Sequence, residues 1–239
     1  MNFAPGRRPL LKLNLLHGFQ LCRGERPVTL PMNAQRLVAF VALHDRPTPR
    51  LFVAGNLWTD ADEARSNASL RSALWRVGRV ASDVLVTSKS HVSLSPAVKV
   101  DIREAVNTAH RILDSVNDLR LEEVDGACLT GDLLTGWYDD WIIAERERVR
   151  QLMLHALELL CVKLSIAGKH AQAIEAGIAA VTAEPLRESA HRALVQAHLC
   201  EGNIGEAIHQ YRAYRSVVQR ELGIEPSTLM DDLVRGLMV

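Results

Sequence analysis

The chain has 239 residues, 48% of them hydrophobic and 23% charged, with equal numbers of basic and acidic groups and a net charge of zero. That length and apolar content exclude a disordered chain and suffice for two compact domains. No run approaches the ~20 apolar residues of a membrane span, and the four cysteines, Cys22, Cys128, Cys161 and Cys200, show neither the pattern of a zinc site nor that of a disulfide framework.

The charge is unevenly placed. Residues 1–100 carry 14 Lys and Arg against 6 Asp and Glu, and residues 101–239 carry 14 against 22. A reversal of sign where strand patterning gives way to helix patterning predicts two domains, 1–100 and 101–239, with different partners, the basic one suited to a polyanion. Arg7 and Arg8 faintly resemble a twin-arginine export signal, but Lys12, Asn14 and His17 break the apolar run that follows and no small-residue cleavage site appears. A soluble, cytoplasmic protein is expected.

Leu11, Leu13 and Leu15 alternate with Lys12 and Asn14. Two further short runs, residues 19–23 and 27–30, are separated by Gly24-Glu25, so a small antiparallel sheet is expected. Asn33 is the expected cap of a first helix that buries Leu37, Val38, Phe40, Val41 and Leu43 and ends before Pro47 and Pro49. A second helix over residues 50–58 is joined by Thr59-Asp60-Ala61-Asp62 to a long helix over 60–81, which is helix-turn-helix spacing.

This long helix has two faces. At about 100° per residue, Leu70, Ala73, Leu74, Val77 and Ala81 collect on one side, and Arg65, Ser72, Arg76 and Arg79 on the other. Guanidinium and small hydroxyl groups suit phosphates and base edges. A solvated basic face on an ordinary helix gives the same pattern, so this stretch does not decide the matter alone. Residues 84–87 and 92–95 then alternate around Ser88-Lys89-Ser90-His91, a hairpin with Lys89 at its tip, although the turn lacks Asn-Gly or Asp-Gly.

A sheet, three helices and a closing hairpin in this order form an OmpR-type winged helix-turn-helix, the arrangement of response-regulator output domains. In it the amino-terminal part of the third helix enters the major groove of double-stranded DNA. Arg65, Asn67, Ser72 and Arg76 are the candidates for base or near-base contacts, and Arg79 and Lys89 for phosphate. Trp75 is expected to pack beneath the hairpin rather than lie at the DNA edge, because large aromatics usually serve cores.

After residue 100 the pattern is helical: residues 101–116, 119–124, and 140–167, with a glycine-bearing loop over 125–132 and an aromatic, irregular stretch over 131–141 between. Gly168, Ala173 and Ile174 recur as Gly202, Ala207 and Ile208, all at an offset of 34, which is the tetratricopeptide period. The glycine belongs in the turn between antiparallel helices and the alanine permits their close approach. The fold class expected is mainly α with a small α+β domain. His191, His198 and His209 are expected as helix-surface or half-buried residues, since no carboxylate or cysteine completes a ligand set. No GxxxxGK, GxGxxG, GxSxG or HExxH motif occurs, so no metal site, no cofactor and no enzyme chemistry are expected.

Several segments together carry a family resemblance: Asn56-Leu57-Trp58, residues 68–76 (ASLRSALWR), residues 141–149 (WIIAERERV), Pro185-Leu186-Arg187-Glu188, and Tyr211 and Arg215 followed by ELGIEP at 221–226. The sequence resembles the SARP family of transcriptional activators, the antibiotic regulatory proteins with their bacterial transcriptional activation domain, over roughly residues 10–237. The resemblance implies a short, two-domain activator that binds promoter direct repeats as two protomers side by side. It also implies recruitment of RNA polymerase through its sigma factor and alpha subunit. Gly78, Trp75 and the wing sequence His91-Val92-Ser93-Leu94 depart from the family's usual pattern, which bears on operator sequence and affinity more than on fold. Two readings stand beside activation: a tetratricopeptide-type adaptor without specific DNA binding, and a repressor using the same DNA-binding domain.

Overall fold

The computed structural model describes residues 10–114, 124 and 126–237. Alternation at the start of the chain becomes strand β1 (Leu11–Asn14), with Leu11 and Leu13 buried. It pairs antiparallel with β2 (Gln20–Arg23), Leu13 opposite Leu21, and β2 pairs with β3 (Arg26–Pro27). Helix α1 (Met32–Ala42) begins one residue before Asn33. Pro31, not Asn33, is its cap: φ −63° and ψ 153° hold Pro31 extended, and its carbonyl accepts from the Ala34 and Gln35 amides. Arg103 closes the other end of α1, its guanidinium donating to the carbonyls of Ala42 and His44 at 2.8 and 2.7 Å.

A two-residue strand that the sequence pattern did not suggest, β4 (Thr48–Pro49), precedes α2 (Arg50–Leu57). Helix α3 (Glu63–Val80) starts at an Asp62 cap, whose side chain accepts from the Arg65 amide at 2.8 Å. Its buried side is Ser66, Leu70, Ala73 and Val77, packed on α1 and α2. The hairpin is β5 (Leu85–Thr87) and β6 (His91–Leu94), with Leu85 opposite Leu94 and β4 on the far side of β6. Strand β7 (Val98–Val100) then returns parallel to β1, giving the order β3-β2-β1-β7. Asp101 fixes this return, its carboxylate accepting from the amides of Leu15 and Leu16 at 2.9 to 3.0 Å.

The chain divides into two compact units. The first takes the described residues through Glu104 together with Asp132–Arg146, and the second takes Ala105–Gly131 with the described residues from Glu147 onward. The expected boundary after residue 100 therefore differs from the structural one, because the aromatic stretch assigned by pattern to the second domain packs in the first unit. There Leu133 bridges to Leu16 and the Leu134 amide donates to the Leu15 carbonyl. Trp137 stacks on Phe19 with centroids 6.2 Å apart, and Trp141 meets Phe40 edge-on at 5.2 Å. Asp139 pairs with Arg36, which also donates to the Leu57 carbonyl. Arg146 donates to the carbonyls of Leu133, Leu134 and Trp137 at 2.8, 2.8 and 2.9 Å, and so holds Leu134 at φ +48°.

The second unit is helical: the rest of α4 (Asp101–Asp114), a 3-10 turn (Gly126–Leu129), α5 (Asp140–Ile166) from Glu147 onward, α6 (His170–Ala183), α7 (Glu188–Glu201), α8 (Ile204–Leu222) and α9 (Thr228–Val234). The expected helix over 119–124 lies outside the described residues except for Val124, as do residues 115 and 116 and the pair Arg7 and Arg8. Gly168 (φ +74°) turns α5 into α6, and Gly202 (φ +87°) turns α7 into α8. Ala173 and Ala207, 34 residues apart, are both fully buried, so the repeat read from the sequence is a repeat of helix-turn-helix packing.

The family-like segments of this unit work as ties between helices. Arg187 pairs with Glu158 and donates to Gln151 Oε1 at 3.0 Å. Glu188 accepts from the Ser227 amide at 2.8 Å, Tyr211 donates to Asp231 at 2.8 Å, and Arg215 pairs with Glu225 at 2.7 Å.

His191 is 6% exposed, its Nδ1 accepting from Gln210 Nε2 at 2.8 Å and its Nε2 donating to the Pro185 carbonyl at 3.0 Å. Burial pushes its imidazole below the ordinary histidine range. The unfolded chain binds this proton below about pH 6.5 while the folded chain resists it, so stability is complete above that pH and falls as pH drops. Urea titrations of the helical signal at about pH 7 and 5.5 should show this loss, and His191→Phe should flatten it while lowering stability at pH 7 by about 1–3 kcal/mol for the two partners left unsatisfied.

Candidate nucleic-acid interface

Because α3 presents Ser66, Leu70, Ala73 and Val77 to the core, its opposite side is fixed by helical geometry. Ala68, Ser72, Trp75 and Arg79 run down the middle of that side, with Arg65 and Arg76 on one flank and Arg71 on the other; all seven are exposed. Arg71 and Arg76 form no ion pair among the described residues. Arg65 is paired with Asp62 at 3.5 Å, but both side chains are largely solvated. Such a pair is worth at most about 1 kcal/mol and exchanges readily for a phosphate.

The flank bearing Arg71 borders the hairpin. Asn67 and Arg71 of α3, Arg50 of α2, and Lys89, Ser90 and His91 of the hairpin line a groove of about 570 Å³. The hairpin turn closes without Asn-Gly because Ser88 supplies the missing contacts: its hydroxyl accepts from the amides of Ser90 and His91 at 3.3 and 3.0 Å. Arg50 then anchors the tip to the start of α2, its amide donating to the Ser90 carbonyl at 2.8 Å. Lys89, an exposed residue, is part of the groove's lining.

The six residues singled out from the sequence thus fall into two sets. Asn67 and Lys89 share the groove, whereas Arg65, Ser72, Arg76 and Arg79 lie on the outer side of α3 and do not line it. Asn67 is turned back on its own helix, Nδ2 donating to the Glu63 carbonyl at 2.9 Å, which leaves Oδ1 as its outward group. Sequence reasoning missed Arg71 and Arg50. Arg71 stands one turn after Asn67, a signal that was available; Arg50 needed the β4–β6 pairing, which was not.

Trp75 is a correction. It does not pack beneath the hairpin: it is 61% exposed, with the Arg79 guanidinium 4.9 Å from its ring centroid. The residue sits on the outward side of α3, where no core surface faces it. Gly78, also exposed on α3, has open space where a Cβ would stand. Gly78→Ala is therefore expected to stabilise the first unit by about 0.5–1 kcal/mol. All four tryptophans, 58, 75, 137 and 141, belong to this unit, so urea unfolding followed by tryptophan fluorescence isolates the effect.

Chemically, the face offers guanidinium forks and an ammonium to phosphates and guanine edges, a hydroxyl, and one indole. Among the described residues no cluster of His, Cys, Asp and Glu could hold a metal ion, and no helix is long and apolar enough to cross a membrane.

Comparison with known proteins bears on both units. The family model for the bacterial transcriptional activator domain matches residues 103–237. No curated protein sequence matches the chain. Among solved structures, Mycobacterium tuberculosis EmbR, determined in complex with a low-affinity phosphopeptide, superposes with a TM-score of 0.69 at 19% identity. The match covers 95% of this chain and 64% of that one, so the present chain corresponds to less than two thirds of EmbR. At that identity the likeness is one of fold.

Proposed function

Because the chain belongs to the bacterial transcriptional activator domain family and is a transcriptional regulator of the SARP type, we propose that it is a sequence-specific activator. In this reading the first unit is an OmpR-type winged helix-turn-helix that docks on double-stranded promoter DNA. Helix α3 enters the major groove, and the β5–β6 hairpin acts as a wing whose Lys89 meets the adjacent phosphates. Two protomers bind direct repeats side by side. The tetratricopeptide-like second unit contacts RNA polymerase, through its sigma factor and alpha subunit, or the neighbouring protomer. The protein acts in the cytoplasm and needs no cofactor.

The observation that carries the reading is the basic outer side of α3 beside a basic hairpin tip, four arginines on one helix with a lysine across a groove. Acidic groups on α3 are confined to Glu63 in its first turn, where they complement the helix dipole and leave the rest of the face to a polyanion.

Gel-shift titration of the full chain on a promoter fragment at several salt concentrations tests it. Binding should weaken steeply with salt, because each neutralised phosphate releases a counterion. Lys89→Ala should reduce the slope of that dependence by about one while lowering affinity uniformly across sequences. If Lys89→Ala and Arg76→Ala both leave affinity unaltered at moderate salt, the DNA face is elsewhere.

A further inference from the structure

The proposed DNA-binding role leaves unexplained why a bulky apolar side chain stands in the middle of a basic face. A solvated helix surface gains nothing from an indole there, and core packing does not require one: Trp75 is 61% exposed while the core of α3 is complete without it. Its surroundings are also specific. Ser72 and Ala68, one and two turns earlier on the same stripe, are small and leave the indole protruding. Arg79, one turn later, lies over the ring at 4.9 Å and restrains it. Arg65, Arg71 and Arg76 flank the stripe, so a ligand that covers the indole also meets positive charge on both sides of it.

Resting on that DNA-binding reading, we propose that Trp75 is a specificity-determining residue that reads a thymine C5-methyl group in the major groove. The partner must be a polyanion to satisfy the flanking guanidinium groups. It must also offer an apolar spot to bury against the indole. In duplex DNA the major-groove apolar group that differs between base pairs is the thymine methyl. The stacked Arg79 can then meet a phosphate without leaving the ring, so the positioning of the indole and the backbone contact reinforce one another.

The test uses duplexes enriched by the full chain from a random, unmethylated library, in which thymine alone carries the methyl. Each thymine of the enriched site is replaced in turn by deoxyuridine, which keeps the hydrogen-bonding edge and removes only that group. At one or two positions the wild-type chain should lose affinity roughly three- to ten-fold, the scale of one buried methyl. Trp75→Ala should bind the unmodified duplex more weakly by the same factor and show no further loss with uracil, and Trp75→Phe should retain part of the sensitivity. An exposed side chain makes both variants foldable, which an unchanged unfolding midpoint confirms. If Trp75→Ala keeps the full uracil sensitivity, or no thymine is sensitive in the wild type, the assignment of Trp75 is overturned while DNA binding stands. If the chain enriches no duplex at all, the DNA-binding reading itself fails.

Discussion

Replacing Arg71 and Arg76 together by alanine is expected to lower affinity for a selected duplex by about a hundredfold or more, taking each fork-like contact at roughly 1–3 kcal/mol. Both side chains are exposed and neither is tied into an ion pair among the described residues, so the fold should survive and the loss should be one of binding. They lie on opposite flanks of α3, Arg71 toward the hairpin and Arg76 away from it. A loss in each single alanine variant as well therefore means that the helix is inserted into a groove rather than laid against one strand. Arg→Lys at the same positions preserves charge but not the planar fork. The lysine variants should recover binding to random duplex while discrimination stays reduced. Anisotropy titrations on selected and random fragments measure both quantities, and unchanged discrimination in the lysine pair would mean that these arginines touch only phosphate.

Arg146→Ala should destabilise the first unit by about 3 kcal/mol, the scale of several hydrogen bonds from a charged donor. The guanidinium binds the carbonyls of Leu133, Leu134 and Trp137 at once, and these hold a residue with positive φ together with the aromatic stretch that packs on α1. Losing the fork releases Trp137 and Trp141 from Phe19 and Phe40. Urea unfolding followed by tryptophan fluorescence should show the midpoint moving down, with the second unit's helical signal little changed. Lysine at this position should recover only a fraction, since one ammonium cannot span three carbonyls. A shift confined to the helical signal would place the role of Arg146 in the other unit.

The basic α3, the hairpin and the 34-residue repeat were legible because each rests on local periodicity or on turn chemistry. Leu70, Ala73 and Val77 mark a buried stripe, and Gly168 and Gly202 mark turns that need positive φ. What was not legible depends on contacts far apart in sequence. Residues 132–146 read as the approach to a second domain, because nothing local reveals that Trp141 meets Phe40 or that Asp139 meets Arg36. The Pro31 start of α1 was missed because Asn33 is the stronger cap by residue type, whereas the extended ψ of Pro31 decides the matter. Trp75 was misread for a related reason: aromatics are usually buried, and only the completed packing of α3 shows that no core faces it. Arg187, Tyr211 and Arg215 belong to the segments that carry the family resemblance, and in the structure they tie helices together.

The most direct measurement is photo-crosslinking of the full chain to a selected duplex, followed by mass-spectrometric mapping of the adducts. Docking through the basic face predicts adducts on Glu63–Val80 and on the hairpin around Lys89, lost in the Arg71 and Arg76 double variant. Adducts confined to residues 147–237, or a pattern that the double variant leaves unchanged, would contradict it.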